Sequence, residues 1–286
     1  MTLDEWQAQG RTFHYRDHPI FYRDAGTAGQ GGVPLLLIHG FPTASWDWYR
    51  IWDDLVTRHR VIAPDMIGFG FSAKPVDYDY RIMDQADLHE ALLDQLGISR
   101  FHLLAHDYGD TVAQELMARI PERIASVALL NGGLFPETHR ARLIQKLLHS
   151  PLGPLISRLM NERKFAKSFA AVFGPDTQPS ADELADFWRL VNHNGGNRIF
   201  HKLIRYIEDR RTHRERWVQA VVQPAMPMRV INGSLDPVSG EHMVQRLLEL
   251  APHSDVLRLP RIGHYPQVEA PTEVVQGYLD FLALHT

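Results

Sequence analysis

The sequence predicts an α/β fold: a mostly parallel, eight-stranded sheet flanked by helices, with a helical lid inserted after the sixth strand. Three observations predict it. Short continuous apolar runs recur along the chain, each ending in glycine, aspartate or asparagine. Helix-period segments separate most of them. About ninety residues late in the chain then carry helical patterns and no strand. Alternating strands and helices build a parallel sheet, which buries both faces and so needs strands that are apolar throughout.

The elements follow in order. "RTFHYRDHPIFYRDAG" holds two short aromatic-rich runs joined at His18-Pro19, read as an antiparallel pair. A glycine-rich turn leads to "VPLLLIHG", and the runs "RVIAPDMIG", "FHLLAHD", "IASVALLNGG" and "PMRVINGSLD" repeat its pattern. Between them, Ile82, Ala86, Leu92, Leu93 and Leu96 mark one side of a helix over 80–96. Val112, Ala113, Leu116, Met117 and Ile120 mark another over 110–120. The alternation stops after Asn131 and resumes at Pro227. Residues 1–133 and 225–286 therefore form the expected core, and 134–224 a lid over the C-terminal sheet edge. That edge is where open α/β sheets bind ligands. The arginine-rich run from Arg205 to Arg216 reads as a solvated helix face.

Composition narrows the function. The net charge is −4 and hydrophobic residues make up 44%, a globular balance with no basic signature for nucleic acid or membrane surfaces. The absence of cysteine removes disulfides and thiolate chemistry and suits a cytoplasmic setting. No metal-ligand spacing and no dinucleotide fingerprint points to a cofactor. A small-molecule substrate is expected, and monomer or homodimer stays open.

The chemistry gathers at strand ends. Asp107, in "AHDYG", sits where a strand turns sharply into a helix. Such an elbow raises one side chain at the sheet edge, beside a helix N-terminus that favours negative charge. Asp236 follows the next-to-last strand, and His264 the last. Nucleophile, acid, histidine is the chain order of a triad on this kind of sheet. The N–H of Phe41, after "LLLIHG", and the N–H of Tyr108 would form an oxyanion hole. His39 and Pro42 read as shaping the turn.

The motifs HGFP (39–42), "DMIGFGFSAKP" (65–75), HDYG (106–109), "GSLDP" (233–237) and "GHYPQVE" (263–269) resemble the α/β-hydrolase superfamily. The branch they resemble is that of epoxide hydrolases and haloalkane dehalogenases, with an aspartate nucleophile. "HDYGDTVAQEL", "NGGLFPETHR" and "VFGP" are similar to the group of the mesoderm-specific transcript protein and its bacterial relatives. The resemblance implies attack by Asp107 on a saturated carbon, giving an alkyl ester. His264, oriented by Asp236, would then activate water against that ester. An epoxide is the expected electrophile, with lid residue Tyr206 as candidate proton donor. A haloalkane is the alternative, but Phe41 and Tyr108 stand where such enzymes carry halide-binding side chains, leaving lid tryptophans Trp188 and Trp217 as possible helpers. Trp188, Asn192 and His193 are the expected pocket lining. A non-catalytic, lid-gated receptor or scaffold is the reading from another class.

Overall fold

The computed structural model describes residues 1–27 and 32–285. Eight strands form one sheet: β1 (Arg11–Tyr15), β2 (His18–Ala25), β3 (Leu35–Ile38), β4 (Val61–Pro64), β5 (Phe101–His106), β6 (Ile124–Leu130), β7 (Met228–Gly233) and β8 (Asp255–Leu259). Their order across the sheet is β1-β2-β4-β3-β5-β6-β7-β8. β1 pairs antiparallel with β2 and β2 with β4, and every later pairing is parallel. The fully buried runs of β3, β4 and β5 occupy the centre, as their unbroken apolarity requires.

One turn falls elsewhere than expected. β1 and β2 join at Arg16-Asp17, both at positive φ (46° and 65°), rather than at His18-Pro19. Two left-handed residues make the tight hairpin turn whose twist matches the strands. His18 and Pro19 are the first residues of β2, facing Tyr15 and His14. The glycine-rich turn before β3 falls mostly at 28–31, outside the described residues.

Two helices carry the site's frame. Ile82–Gln95 buries Ile82, Ala86, Leu92 and Leu93. Tyr108–Arg119 follows β5 directly and buries Val112, Ala113, Leu116 and Met117. Between β6 and β7 come only helical elements, from Leu143–Leu148 to Arg214–Val222. Helices Gly153–Arg158 and Glu162–Ala170 lie among them. This insertion follows the sixth strand and packs its final helix, Arg214–Val222, on Tyr108–Arg119. Buried Glu115 supplies the polar link. It accepts from Trp217 Nε1 at 2.7 Å, Arg216 Nε at 2.9 Å and Arg119 Nε at 3.0 Å. No helix among the described residues is long and apolar enough to cross a membrane.

Candidate active site

The backbone at Asp107 is strained. Its φ of 49° and ψ of −104° turn β5 straight into the helix Tyr108–Arg119. Small neighbours make this possible. A Cβ on Gly109 would stand 2.3 Å from the Ile38 carbonyl oxygen, and one on Gly40 would stand 3.2 Å from Asp107 Cβ. Asp107 itself is buried. Its Oδ2 accepts from the Phe41 N–H at 3.1 Å.

The other two positions of the expected triad converge on it. The loop after β8 places His264 Nε2 3.9 Å from Asp107 Oδ1. The loop after β7 places Asp236 Oδ2 2.7 Å from His264 Nδ1. The Asp236 carboxylate is held by three further donors. Val238 N–H reaches Oδ1 at 2.7 Å, while Ser239 Oγ at 2.8 Å and Asn131 Nδ2 at 3.0 Å reach Oδ2; the Asp236 N–H itself donates to Gly233. Burial pushes the Asp236 carboxyl up, but the His264 charge and these hydrogen bonds outweigh it and hold the pKa at about 2. Burial likewise pushes His264 down, yet Asp236, then Asp107, prevail and raise it to about 9.

Of the expected oxyanion pair, the Phe41 N–H reaches the carboxylate, and the Tyr108 N–H is given to no described acceptor. The Tyr108 ring lies fully buried beneath the elbow, against Phe69 at 5.3 Å and Tyr206 at 5.2 Å. His39 is structural: its Nε2 accepts from the Met66 N–H at 3.0 Å, so its Nδ1 donates to the Gly40 carbonyl at 2.8 Å. Buried Asp47 and Asp65 pin the same turn through Thr43 and the Gly40 and Ser45 N–H groups.

An apolar cavity of about 90 Å3 opens over Asp107 and His264. At roughly 10–15 Å3 per water it holds on the order of six to nine water-sized groups. Leu148, Met160, Phe165, Phe169 and Phe200 wall it, with Arg142 and Gln145 as polar members. The expected lining of Trp188, Asn192 and His193 is therefore corrected. The helix Ala181–Asn192 turns Phe187, Leu190 and Val191 inward, which rotates Trp188 and Asn192 away from the cavity. Trp188 only backs the wall, packing on Phe165 at 5.6 Å. His193 packs on Phe71 in a separate surface depression. Trp217 spends its N–H on Glu115, so neither lid tryptophan faces the cavity. The insertion's share of the lining comes from 142–172 and Phe200, where strand-free sequence gave no sign of which helix faces inward.

Tyr206 stands behind Phe41, ring to ring at 6.0 Å, and is buried. Its oxygen accepts from Gln145 Nε2 at 3.4 Å, and no described residue takes its hydrogen. Burial and the Asp107 charge push its pKa above the ordinary tyrosine value. Arg210 is a second correction. The run from Arg205 to Arg216 is not uniformly solvated, because Arg210 is only 2% exposed. Its Nη2 donates to the Asp107 carbonyl oxygen at 3.2 Å and its Nε to Thr111 Oγ1 at 2.7 Å.

Comparison with known proteins identifies the family. The sequence profile of the family described as alpha/beta hydrolase fold matches residues 33–271. The chain belongs to this α/β-hydrolase family. The human mesoderm-specific transcript homolog protein is 44% identical, across 98% of this chain and 88% of its own length. The cis-3-alkyl-4-alkyloxetan-2-one decarboxylase of Shewanella oneidensis is 30% identical, across 88% of this α/β-hydrolase and 82% of its own length. Haloalkane dehalogenase 2 of Mycobacterium bovis is 26% identical, across 95% and 94%. No cluster of histidine and acidic residues among the described residues is arranged to hold a metal.

Proposed function

We propose that this α/β-hydrolase works through an alkyl ester on Asp107, with small apolar epoxides as its substrate class. The observation that carries the reading is the carboxylate at the strained elbow. A carboxylate there attacks saturated carbon, and an acyl-transfer serine is absent from the position. The substrate carbon reaches Asp107 Oδ1, on the side open to the cavity. Oδ2, held by the Phe41 N–H, becomes the carbonyl oxygen of the ester and then the oxyanion of the second step. Asp107 loses its charge on alkylation. That removes one of the causes that keep His264 protonated, so the imidazole can lose its proton and act as the base. The 3.9 Å between His264 Nε2 and Asp107 Oδ1 then becomes the place where it draws a proton from water.

Opening an epoxide leaves an alkoxide that needs a proton. Tyr206 is the candidate for this role: it lies behind Phe41 and does not itself line the cavity, but its oxygen accepts from cavity residue Gln145 and its hydrogen is given to no described residue. Dehalogenation is the second reading, favoured by the dehalogenase relative. Against it, the Tyr108 ring faces the core, and Trp188 and Trp217 lie outside the cavity. The Shewanella relative's name describes a strained four-membered ring, which also suits a carboxylate that opens small rings.

The test is His264→Gln incubated with 1,2-epoxybutane and with 1-bromobutane, read by intact mass and peptide mapping. An epoxide adduct on Asp107 supports the reading. An adduct from the bromide alone moves the function to dehalogenation, and a wild type inert to both, with ligand-induced stabilisation only, moves it to a receptor. Tyr206→Phe is expected to stop epoxide adduct formation while leaving the slower bromide adduct intact. Equal loss of both removes Tyr206 from the proton-donor role.

A further inference from the structure

Arg210 has no part in the reaction as described so far, and its surroundings are unusual for an arginine. It belongs to the helix Tyr206–Thr212 of the insertion, yet its guanidinium reaches under the core's nucleophile elbow. It is 2% exposed, and a buried guanidinium is stable only where charge and hydrogen bonds replace water. Here Nε donates to Thr111 Oγ1 at 2.7 Å and Nη2 to the Asp107 carbonyl oxygen at 3.2 Å. Nη2 also stands 4.0 Å from Asp107 Oδ1, the sole carboxylate oxygen within ion-pair range of it among the described residues. The Tyr206 ring lies 4.5 Å from its Cζ and fixes the plane of the fork. Nη1 is buried with no partner, and a Cβ on Gly133 would stand 2.4 Å from it. The site therefore has room for a guanidinium and nothing larger.

We propose that Arg210 is the positioning residue for the nucleophile, and that it makes alkylation of Asp107 depend on the docked insertion. This rests on Asp107 being the nucleophile. Arg210 acts on Asp107 in two ways. It grips the carbonyl of the strained residue itself, which limits how the elbow can relax. It also places a fixed cation beside the attacking carboxylate, 4.0 Å from Oδ1 and outside the cavity lining, so the charge is balanced without covering Oδ1 by a direct hydrogen bond. The groups around this pair are Asp110 from the helix beneath, His264 and Tyr265 after β8, His139 after β6, and Tyr206 beside Arg210. Of these only His264 is also cationic at rest, and it gives up its proton in the second step, whereas Arg210 keeps its charge throughout. The sequence hides this role because Arg210 sits in a run of arginines of which Arg205 and Arg214 meet surface acids, Asp79 and Glu137.

The experiment measures adduct formation with 1,2-epoxybutane in His264→Gln, alone and combined with Arg210→Lys or Arg210→Ala. Arg210→Ala is expected to slow adduct formation about 100-fold, the scale of removing one preorganised electrostatic group, with little change in the epoxide concentration giving half-maximal rate. Added guanidinium chloride at low millimolar concentration is expected to restore part of the rate in Arg210→Ala and none in the parent. Arg210→Lys keeps the charge without the fork and is expected to fall between them. Adduct rates within twofold of the parent in both variants overturn the proposal while leaving the Asp107 reading intact. Should Arg210→Ala fail to fold, Arg210→Lys at the parent rate is enough to overturn it. No adduct in His264→Gln alone overturns both.

Discussion

His264 and Asp236 hold a proton together, and in the proposed reaction that proton sets when the second step can run. Asp236 and its donors keep His264 cationic at rest, with a pKa of about 9. Ester formation on Asp107 lowers that value, so decay of the alkyl-enzyme should rise with pH along a limb below 9. Asp236→Asn removes the two largest causes that raise His264, and burial then drives the imidazole below its ordinary 6.5. Single-turnover decay of the adduct should therefore lose its alkaline limb and slow by about 10²- to 10⁴-fold, because the imidazole is no longer held in the right tautomer. A limb unmoved by the substitution would show that Asp236 does not govern the base. At this scale the sequence was most readable. Asp107, Asp236 and His264 each followed a glycine-bounded apolar run, so strand ends alone brought them to one edge. Arg210, Arg142 and Gln145 had no such marker, because their placement depends on how the insertion's helices turn.

The elbow and the insertion meet at the helix Tyr108–Arg119, and its two ends make separate demands. At its start, Gly109→Ala would drive a methyl against the Ile38 and His39 carbonyl oxygens, at 2.3 and 2.7 Å. Both are backbone atoms that cannot rotate away, so chemical denaturation should report a loss of about 1–3 kcal/mol. Further along, Glu115 is 1% exposed and accepts from Arg119, Arg216 and Trp217. Glu115→Ala would strand the buried Trp217 N–H, while Arg216 turns to solvent and Arg119 keeps Asp87 and Glu90, so the cost should be about 1–3 kcal/mol. Proteolysis should then cut first within the insertion, since Glu115 is its polar anchor. Unchanged protease resistance would show that apolar packing alone docks it. Strand and helix positions were legible from periodicity. The hairpin turn was misplaced because the left-handed pair Arg16-Asp17 carries no glycine or asparagine to announce it, whereas the neighbouring proline does.

Across the whole molecule, buried ion pairs tie stability to pH on both sides. Asp236 has its pKa depressed from 3.8 to about 2, so its contribution is complete above 3.8 and is lost as pH falls toward 2. Glu137 and Glu183 are likewise held at about 2 and act over the same acid window, opening at 4.5, although their partial exposure makes each worth less. His264 runs the other way. Its raised pKa adds stability that is complete below 6.5 and lost as pH rises through about 9. Thermal melting should therefore peak between about pH 5 and 6.5, and His264→Gln should flatten the alkaline side and also weaken the acid side, because the His264 charge is the largest cause lowering the Asp236 pKa. Covalent alkylation of Asp107 is tested by a single turnover of 1,2-epoxybutane in 18O-labelled water with enzyme in excess. Covalent attack predicts diol carrying oxygen from Asp107, hence free of label at the attacked carbon, and label incorporated into the Asp107 carboxylate. Label in the first-turnover diol, with none in Asp107, would contradict it and make Asp107 a base that activates water.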